Sequence, residues 1–213
     1  MKKKVSLWLI ISSLVTLIPM FLGIILWDKL PEKMATSFGI GGEVTGYSNK
    51  EFAVYGLPLI LVLCNFLCVF YTGADPKRKN ISDKIMGVVL SIIPLCSIFC
   101  GTLLYKDVLN FKINADMMGT SFLGLVFTVI GIILPKCKQN YTVGIKIPWT
   151  LNDEDNWNKT HKFAGKVFIA GGIITLISGF LGFVYASFVM IFIVALIPIV
   201  YSYIYYRKNK KDE

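Results

Sequence analysis

Long apolar runs alternate with short polar segments along the whole chain. Six runs stand out, at residues 5–27, 52–71, 85–105, 117–135, 167–185 and 187–206, and none contains Asp, Glu, Lys, Arg or His. Each has roughly 18 to 23 residues, the length a helix needs to cross a hydrocarbon core of about 30 Å. The pattern predicts an all-α integral membrane protein with six transmembrane helices, forming a single membrane domain over residues 1–213. The first run follows Lys2, Lys3 and Lys4, but it is too long for a signal-peptide core and no small-x-small site follows Trp27, so it is expected to remain as an anchor. No charge separates the last two runs, and the bend between them is expected near residues 185–187, because one helix of that length would overrun a bilayer.

Composition agrees with this reading: 55% of the 213 residues are hydrophobic and only 16% are charged, with a mean hydropathy of +0.65. Charge then sets an orientation. Segments 2–4, 73–84, 136–166 and 207–213 hold 17 of the 22 Lys and Arg, whereas segments 28–51 and 106–116 hold five, with six acidic residues. Basic loops stay on the cytoplasmic side, so both termini are expected inside, with 28–51 as an ordered outer loop and 136–166 as an inner one. The sequence pI of 9.3 is therefore read as a topology signal and not as a nucleic-acid surface. The inner charge also offers an attachment surface for an acidic partner or anionic lipid.

Candidate chemistry is sparse. Cys64 and Cys68, with Cys96 and Cys100, repeat an i, i+4 spacing on neighbouring spans. At 1.5 Å of rise per residue their heights differ by roughly 15 Å, which does not suit a tetrahedral metal site. They are expected to pack as small apolar residues, and no metal or cofactor is expected. Cys137 is the only cysteine outside the spans and a natural target for an impermeant thiol label. Asn65 is the one strongly polar side chain within the runs; the missing intramembrane charge argues against an ion-coupled transporter, though Pro19, Pro58, Pro94 and Pro198 keep a peptide or lipid transporter as the alternative. Gly171, Gly172, Gly179 and Gly182 suit close helix packing. One histidine, His161, without a paired carboxylate or activated nucleophile, argues against an enzyme. In Asp153–Glu154–Asp155 the spacing points to helix capping, with Thr150 as the N-cap.

The information lies in the two loops. In the outer one Pro31 stiffens the start, Gly39, Gly41, Gly42 and Gly46 mark tight turns, Phe38 and Tyr47 supply aromatic surface, and Lys50 sits where it reaches toward headgroup phosphate. In the inner one Tyr141, Val143, Ile145 and Ile147 alternate with Thr142, Gly144 and Lys146, which predicts an extended piece. Pro148 ends it and an interfacial helix follows Thr150, with Trp157, His161, Ala164 and Phe168 on one face.

The segment from Asn140 to Gly165, with Gly144, Lys146, Pro148, Trp149, Thr150, Trp157, Thr160 and His161, resembles the signature of the SdpI family of bacterial immunity proteins. The outer segment, with Pro31, Phe38, Gly42, Glu43, Tyr47 and Lys50, resembles the small domain of unknown function that precedes it in that family. Lys146 stands where the family usually has Arg, and Ala35 and Ser37 replace a common Pro and His. The resemblance implies a protein of the bacterial plasma membrane that protects against a secreted peptide toxin. It also implies a receptor role in which the toxin-engaged form draws an ArsR-type repressor to the membrane. The toxin-facing residues would then be Pro31, Phe38, Gly42, Tyr47 and Lys50, and the inner motif would hold the repressor. Apart from these and the lipid bilayer no partner is implied, and no direct contact with nucleic acid.

Overall fold

The computed structural model describes residues 3–209; Lys2 of the basic leader and the end of the tail lie outside them. Six helices are long and apolar enough to cross a membrane: Val5–Ile25, Phe52–Gly73, Asp83–Tyr105, Ala115–Lys136, Glu154–Phe180 and Val184–Asn209. Many large apolar side chains are left exposed along them, among them Ile25, Phe70, Phe180 and Phe192, as a hydrocarbon solvent favours. The regular elements are α1 (Lys3–Thr16), α2 (Ile18–Ile25), β1 (Lys33–Phe38), β2 (Val44–Asn49), α3 (Leu57–Gly73), α4 (Asp83–Tyr105), α5 (Ala115–Ile133), α6 (Pro148–Asn152), α7 (Glu154–Phe180) and α8 (Val184–Asn209). They fall into two compact units, one holding residues up to Tyr71 with Met86–Met118, the other holding Thr72–Ile85 and the chain from Gly119 on.

In the first unit the opening span is broken at Leu17, because Pro19 lacks an N–H and crowds the preceding turn. Carbonyls beside the break are taken by side chains of α4. Ser97 Oγ donates to the Thr16 carbonyl at 2.7 Å, and Tyr105 Oη donates to the Pro19 carbonyl at 2.9 Å. The buried Asn65 amide reaches Thr16 Oγ1 at 3.4 Å. Close approach makes this possible: a Cβ on Gly101 would stand 2.6 Å from Pro19, and one on Gly23 would stand 2.4 Å from Tyr105 Oη.

The expectation of an all-helical chain with a looped 28–51 segment gives way at β1 and β2, which pair antiparallel from Lys33↔Asn49 to Phe38↔Val44. Met34, Leu30, Ala53, Val54 and Tyr105 form one buried cluster that holds the hairpin to the helices. Gly39 and Gly42 close the turn, with Gly39 N–H donating to the Glu43 carbonyl at 2.8 Å and Gly42 at φ +74. Gly46, expected as a turn residue, instead lies within β2 opposite Ser37, beside an irregularity in the register.

In the second unit α5 and α7 meet along glycines. A Cβ on Gly124 would lie 2.5 Å from Leu176 N, one on Gly131 2.7 Å from Ile169 N, and one on Gly172 2.7 Å from the Gly124 carbonyl. Gly165, Gly172 and Gly179 recur every seven residues on α7, the small-residue stripe that lets helix backbones touch without a hydrophobic drive. Gly182 packs against nothing within 4 Å. It ends α7 with φ +77, and Phe183 N–H donates to the Ser178 carbonyl at 2.8 Å while Gly182 N–H donates to Gly179. This is the Schellman pattern, with glycine where the left-handed residue falls. The bend therefore lies at Leu181–Phe183 and not at 185–187.

Candidate functional site

The segment expected to be extended, and the interfacial helix after it, form one hydrogen-bonded module in the second unit. Residues 141–147 pair with no strand; their main-chain groups are taken by side chains. Asn140, 1% exposed, donates through Nδ2 to the Lys138 and Val143 carbonyls at 2.8 and 3.0 Å. Its Oδ1 accepts from Thr142 and Val143 N–H at 2.8 and 2.6 Å. All four hydrogen-bonding positions of the amide are filled.

The interfacial helix is continuous with the fifth span, as the first three turns of α7. Asp153 is its N-cap, accepting from Asp155 and Asn156 N–H, which corrects the assignment to Thr150. Thr150 lies in α6, where its Oγ1 accepts from Ile147 N–H at 3.1 Å and donates to the Ile145 carbonyl at 2.8 Å. Pro148 occupies the first turn of α6, where its missing N–H has no partner to lose.

Trp157 and His161 sit one turn apart on the buried face of α7 and stack, with ring centroids 4.0 Å apart. Trp157 Nε1 donates to the Cys137 carbonyl at 2.8 Å. His161 Nδ1 lies 2.8 Å from the Trp157 carbonyl and so carries the proton; Nε2 accepts from Ile145 N–H at 2.9 Å. The two partners fix one neutral tautomer. Gly144 lies against both rings at φ +129, and a Cβ there would stand 2.4 Å from His161 Nε2. Gly165, one turn beyond His161, faces Pro135, which a Cβ would approach to 2.5 Å. Thr160 Oγ1 donates to Asn156 Oδ1 at 2.9 Å.

Sequence reasoning missed four residues that tie this module together. Asp75 accepts from Tyr141 N–H at 2.9 Å and from the Thr142 hydroxyl, joining segment 72–82 to segment 139–142. Gln139 donates to the Thr150 and Leu151 carbonyls at 2.9 and 3.0 Å and accepts from Lys77 Nζ. Asn156, fully buried, accepts from Ser202 Oγ at 2.6 Å and donates to the Ser202 carbonyl at 3.1 Å, fastening α7 to α8. The helical spacing of Asn156 and Thr160, on the side of Trp157 and Ala164, was the available signal.

Trp149 differs from Trp157 in being half-buried. It packs on Tyr203 and Tyr206 at 5.4 and 6.1 Å and lines an open cleft of about 670 Å³ with Pro148, Asn152, Asp153, Glu154, Tyr206 and Asn209. Lys146 is exposed. Cys137 is 4% exposed, and burial pushes its thiol up to about 11, so it is a poor target for a thiol label.

The outer residues belong to the first unit. Pro31 precedes β1 and is exposed. Phe38 ends β1, with Lys106 Nζ 5.8 Å from its ring centroid. Gly42 lies 3.6 Å, as a Cβ would, from the Asp116 carboxyl. Tyr47 is 63% exposed and pairs in register with Ala35, so Phe38 and Tyr47 are not cross-strand neighbours. Lys50 does not reach out to phosphate: it is buried, 3.1 Å from Glu32 Oε1 and 4.7 Å above the Trp27 ring.

Among the described residues no group of three or more His, Cys, Asp or Glu is placed to hold a metal ion. Six helices long and apolar enough to cross a membrane, with a folded hairpin and a hydrogen-bonded loop module, suggest a multi-pass membrane protein. The profile of the SdpI/YfhL protein family matches residues 136–202, and that of a domain of unknown function, DUF1648, matches residues 14–62. The chain is 26% identical over 202 residues to "Immunity protein SdpI" of Bacillus subtilis (strain 168), covering 93% of this chain and 96% of that one. Residues 136–202 thus carry the SdpI/YfhL family pattern and residues 14–62 that of DUF1648. No solved structure matches it.

Proposed function

We propose that this chain is an immunity protein of the bacterial plasma membrane that protects the cell from a secreted peptide toxin, with the hairpin as the toxin-facing part. The observation that carries this reading is the end-to-end similarity to an immunity protein, whose two matched regions contain the two folded parts outside the apolar runs. Phe38 and the exposed Tyr47 present aromatic surface, the side-chain type that dominates binding hot spots. The cleft beside Trp149 is the docking place for a cytoplasmic repressor, and the buried Trp157 and His161 hold that surface in shape from within.

Toxin-sensitive cells expressing the chain should keep their membrane potential when challenged with an Sdp-type peptide. Tyr47→Ala with Phe38→Ala should weaken peptide binding by about 30-fold or more, the loss expected of a hot-spot aromatic, and abolish protection at unchanged protein level. Trp149→Ala should leave protection intact and remove repressor recruitment. Full protection by the Tyr47/Phe38 variant would take the hairpin out of toxin recognition, and collapse of the potential with wild type in the membrane would remove the immunity reading.

Both termini lie inside in this reading. Bonds from Asp75 to segment 141–142 join those two loops, and the approach of Lys106 to Phe38 brings the hairpin to segment 106–114; each pairing supports assigning its two segments to one side. A cysteine at Ile40 should react with an impermeant maleimide in intact cells, and one at Lys146 only in opened cells. The reverse pattern would invert the orientation.

A further inference from the structure

Lys159, Lys162 and Lys166 follow one another at i, i+3 and i+7 on α7, a spacing that brings them to one side of the helix. With Phe163 of α7 and Tyr201 of α8 they line a recess of about 200 Å³. The two rings stack with centroids 4.3 Å apart, forming the apolar floor. Lys159 is engaged, 3.1 Å from Asp155 Oδ2 and 2.9 Å from Tyr205 Oη. Lys162 and Lys166 are exposed and have no carboxylate within 4 Å among the described residues. The recess therefore keeps a net positive charge after its internal pairing.

What lies beyond the recess distinguishes it from an ordinary topology signal. Continuing in steps of three and four from Phe163 and Lys166, the same side of α7 carries Ala170, Ile173 and Ile177. The facing side of α8 carries Ile197 and Ile193 below Tyr201. Ile173, Ile177, Ile193 and Ile197 are 38–51% exposed, and from Phe163 to Ile177 the helix rises about 21 Å. One groove thus begins with two free ammonium groups around stacked rings and runs on as bare aliphatic surface. That sequence of chemistry is the outline of an anionic phospholipid: a phosphate with no balancing amine, a glycerol region at the aromatic level, and acyl chains beneath.

We propose that the α7–α8 groove is a binding site for an anionic phospholipid, with Lys162 and Lys166 holding the phosphate and Phe163 and Tyr201 the glycerol backbone. Lys159 orients the rim through Tyr205. The site requires only that these helices cross a bilayer, and it stands or falls apart from the immunity reading. It would also hold α7 against α8 just where Asn156 and Ser202 fasten them.

The test uses the full chain in non-ionic detergent, with phosphatidylglycerol or phosphatidylcholine titrated in and bound lipid counted by native mass spectrometry. Wild type should retain phosphatidylglycerol in preference to phosphatidylcholine. Each lysine near an anionic headgroup contributes about fivefold, so Lys162→Gln with Lys166→Gln should weaken phosphatidylglycerol retention by about 25-fold. Lys162→Arg with Lys166→Arg should keep it, and Lys33→Gln with Lys112→Gln, distant in sequence and of equal charge change, should not reduce it. Undiminished retention by the double Gln variant would overturn the proposal. So would displacement of the lipid by millimolar inorganic phosphate, which would make the site a free-anion site with no use for the aliphatic groove.

Discussion

Trp157→Ala is expected to destabilise the second unit by about 3–5 kcal/mol, the range for removing a fully buried large aromatic. The indole is 0% exposed, so nothing but neighbouring side chains can fill the space it leaves. Three contacts go at once: the stack on His161, the bond to the Cys137 carbonyl and the wall against Gly144. Trp157→Phe keeps most of the volume and loses the Nε1 donor, leaving the Cys137 carbonyl unpaired at a cost of about 1–3 kcal/mol. Trp149→Ala, at a half-exposed ring, should cost least of the three. Thermal melts of the full chain in detergent, with tryptic cleavage after Lys146 as a local probe, read the series. Equal melting of the Trp157→Ala variant and wild type would mean that Trp157 does not organise the loop.

The spans were legible because hydrocarbon imposes a rule that composition alone can display: no charge within about twenty residues. The start of the fifth span was not. Lys159, Lys162 and Lys166 read as the end of a polar segment, yet they share one side of α7 while Trp157, Thr160, His161 and Ala164 occupy the buried one. A charge count along the sequence sees the first face and misses the second. The hairpin was hidden for a different reason. Lys33–Phe38 and Val44–Asn49 have few β-branched residues and an interior glycine. Their pairing leans on Met34, which is buried among residues distant in sequence. Such tertiary support leaves no local periodicity.

In the inner loop the alternation of Tyr141, Val143, Ile145 and Ile147 was real and misled. An extended strand needs main-chain partners, and here Asn140, Asp75, Thr150 and His161 supply side-chain ones instead. The motif residues were found through family resemblance, but their division of labour came only from the structure. Asn140, Thr150, Trp157, Thr160 and His161 point inward and fix the backbone, while Lys146, Pro148 and Trp149 lie wholly or partly at the surface. Substitutions in the two groups should therefore differ in kind: loss of folding for the first, folding intact for the second.

Gly144 offers the sharpest case of the first kind. At φ +129 an L side chain is strained by about 1–3 kcal/mol. The space is also closed, since a Cβ would stand 2.4 Å from His161 Nε2 and 2.9 Å from Trp157 Cζ2. That nitrogen is the acceptor for Ile145 N–H, so moving the ring aside leaves a main-chain donor unpaired, for about 1–3 kcal/mol more. Gly144→Ala is therefore expected to cost about 2–6 kcal/mol. The two sources separate in a double-mutant cycle with His161→Ala. Removing the ring relieves the contact but not the backbone strain, so Gly144→Ala should cost at least about 1 kcal/mol less in that background than in wild type. Additive effects, within the ~0.5 kcal/mol typical of independent sites, would show that the ring yields freely and that strain at φ +129 carries the whole penalty.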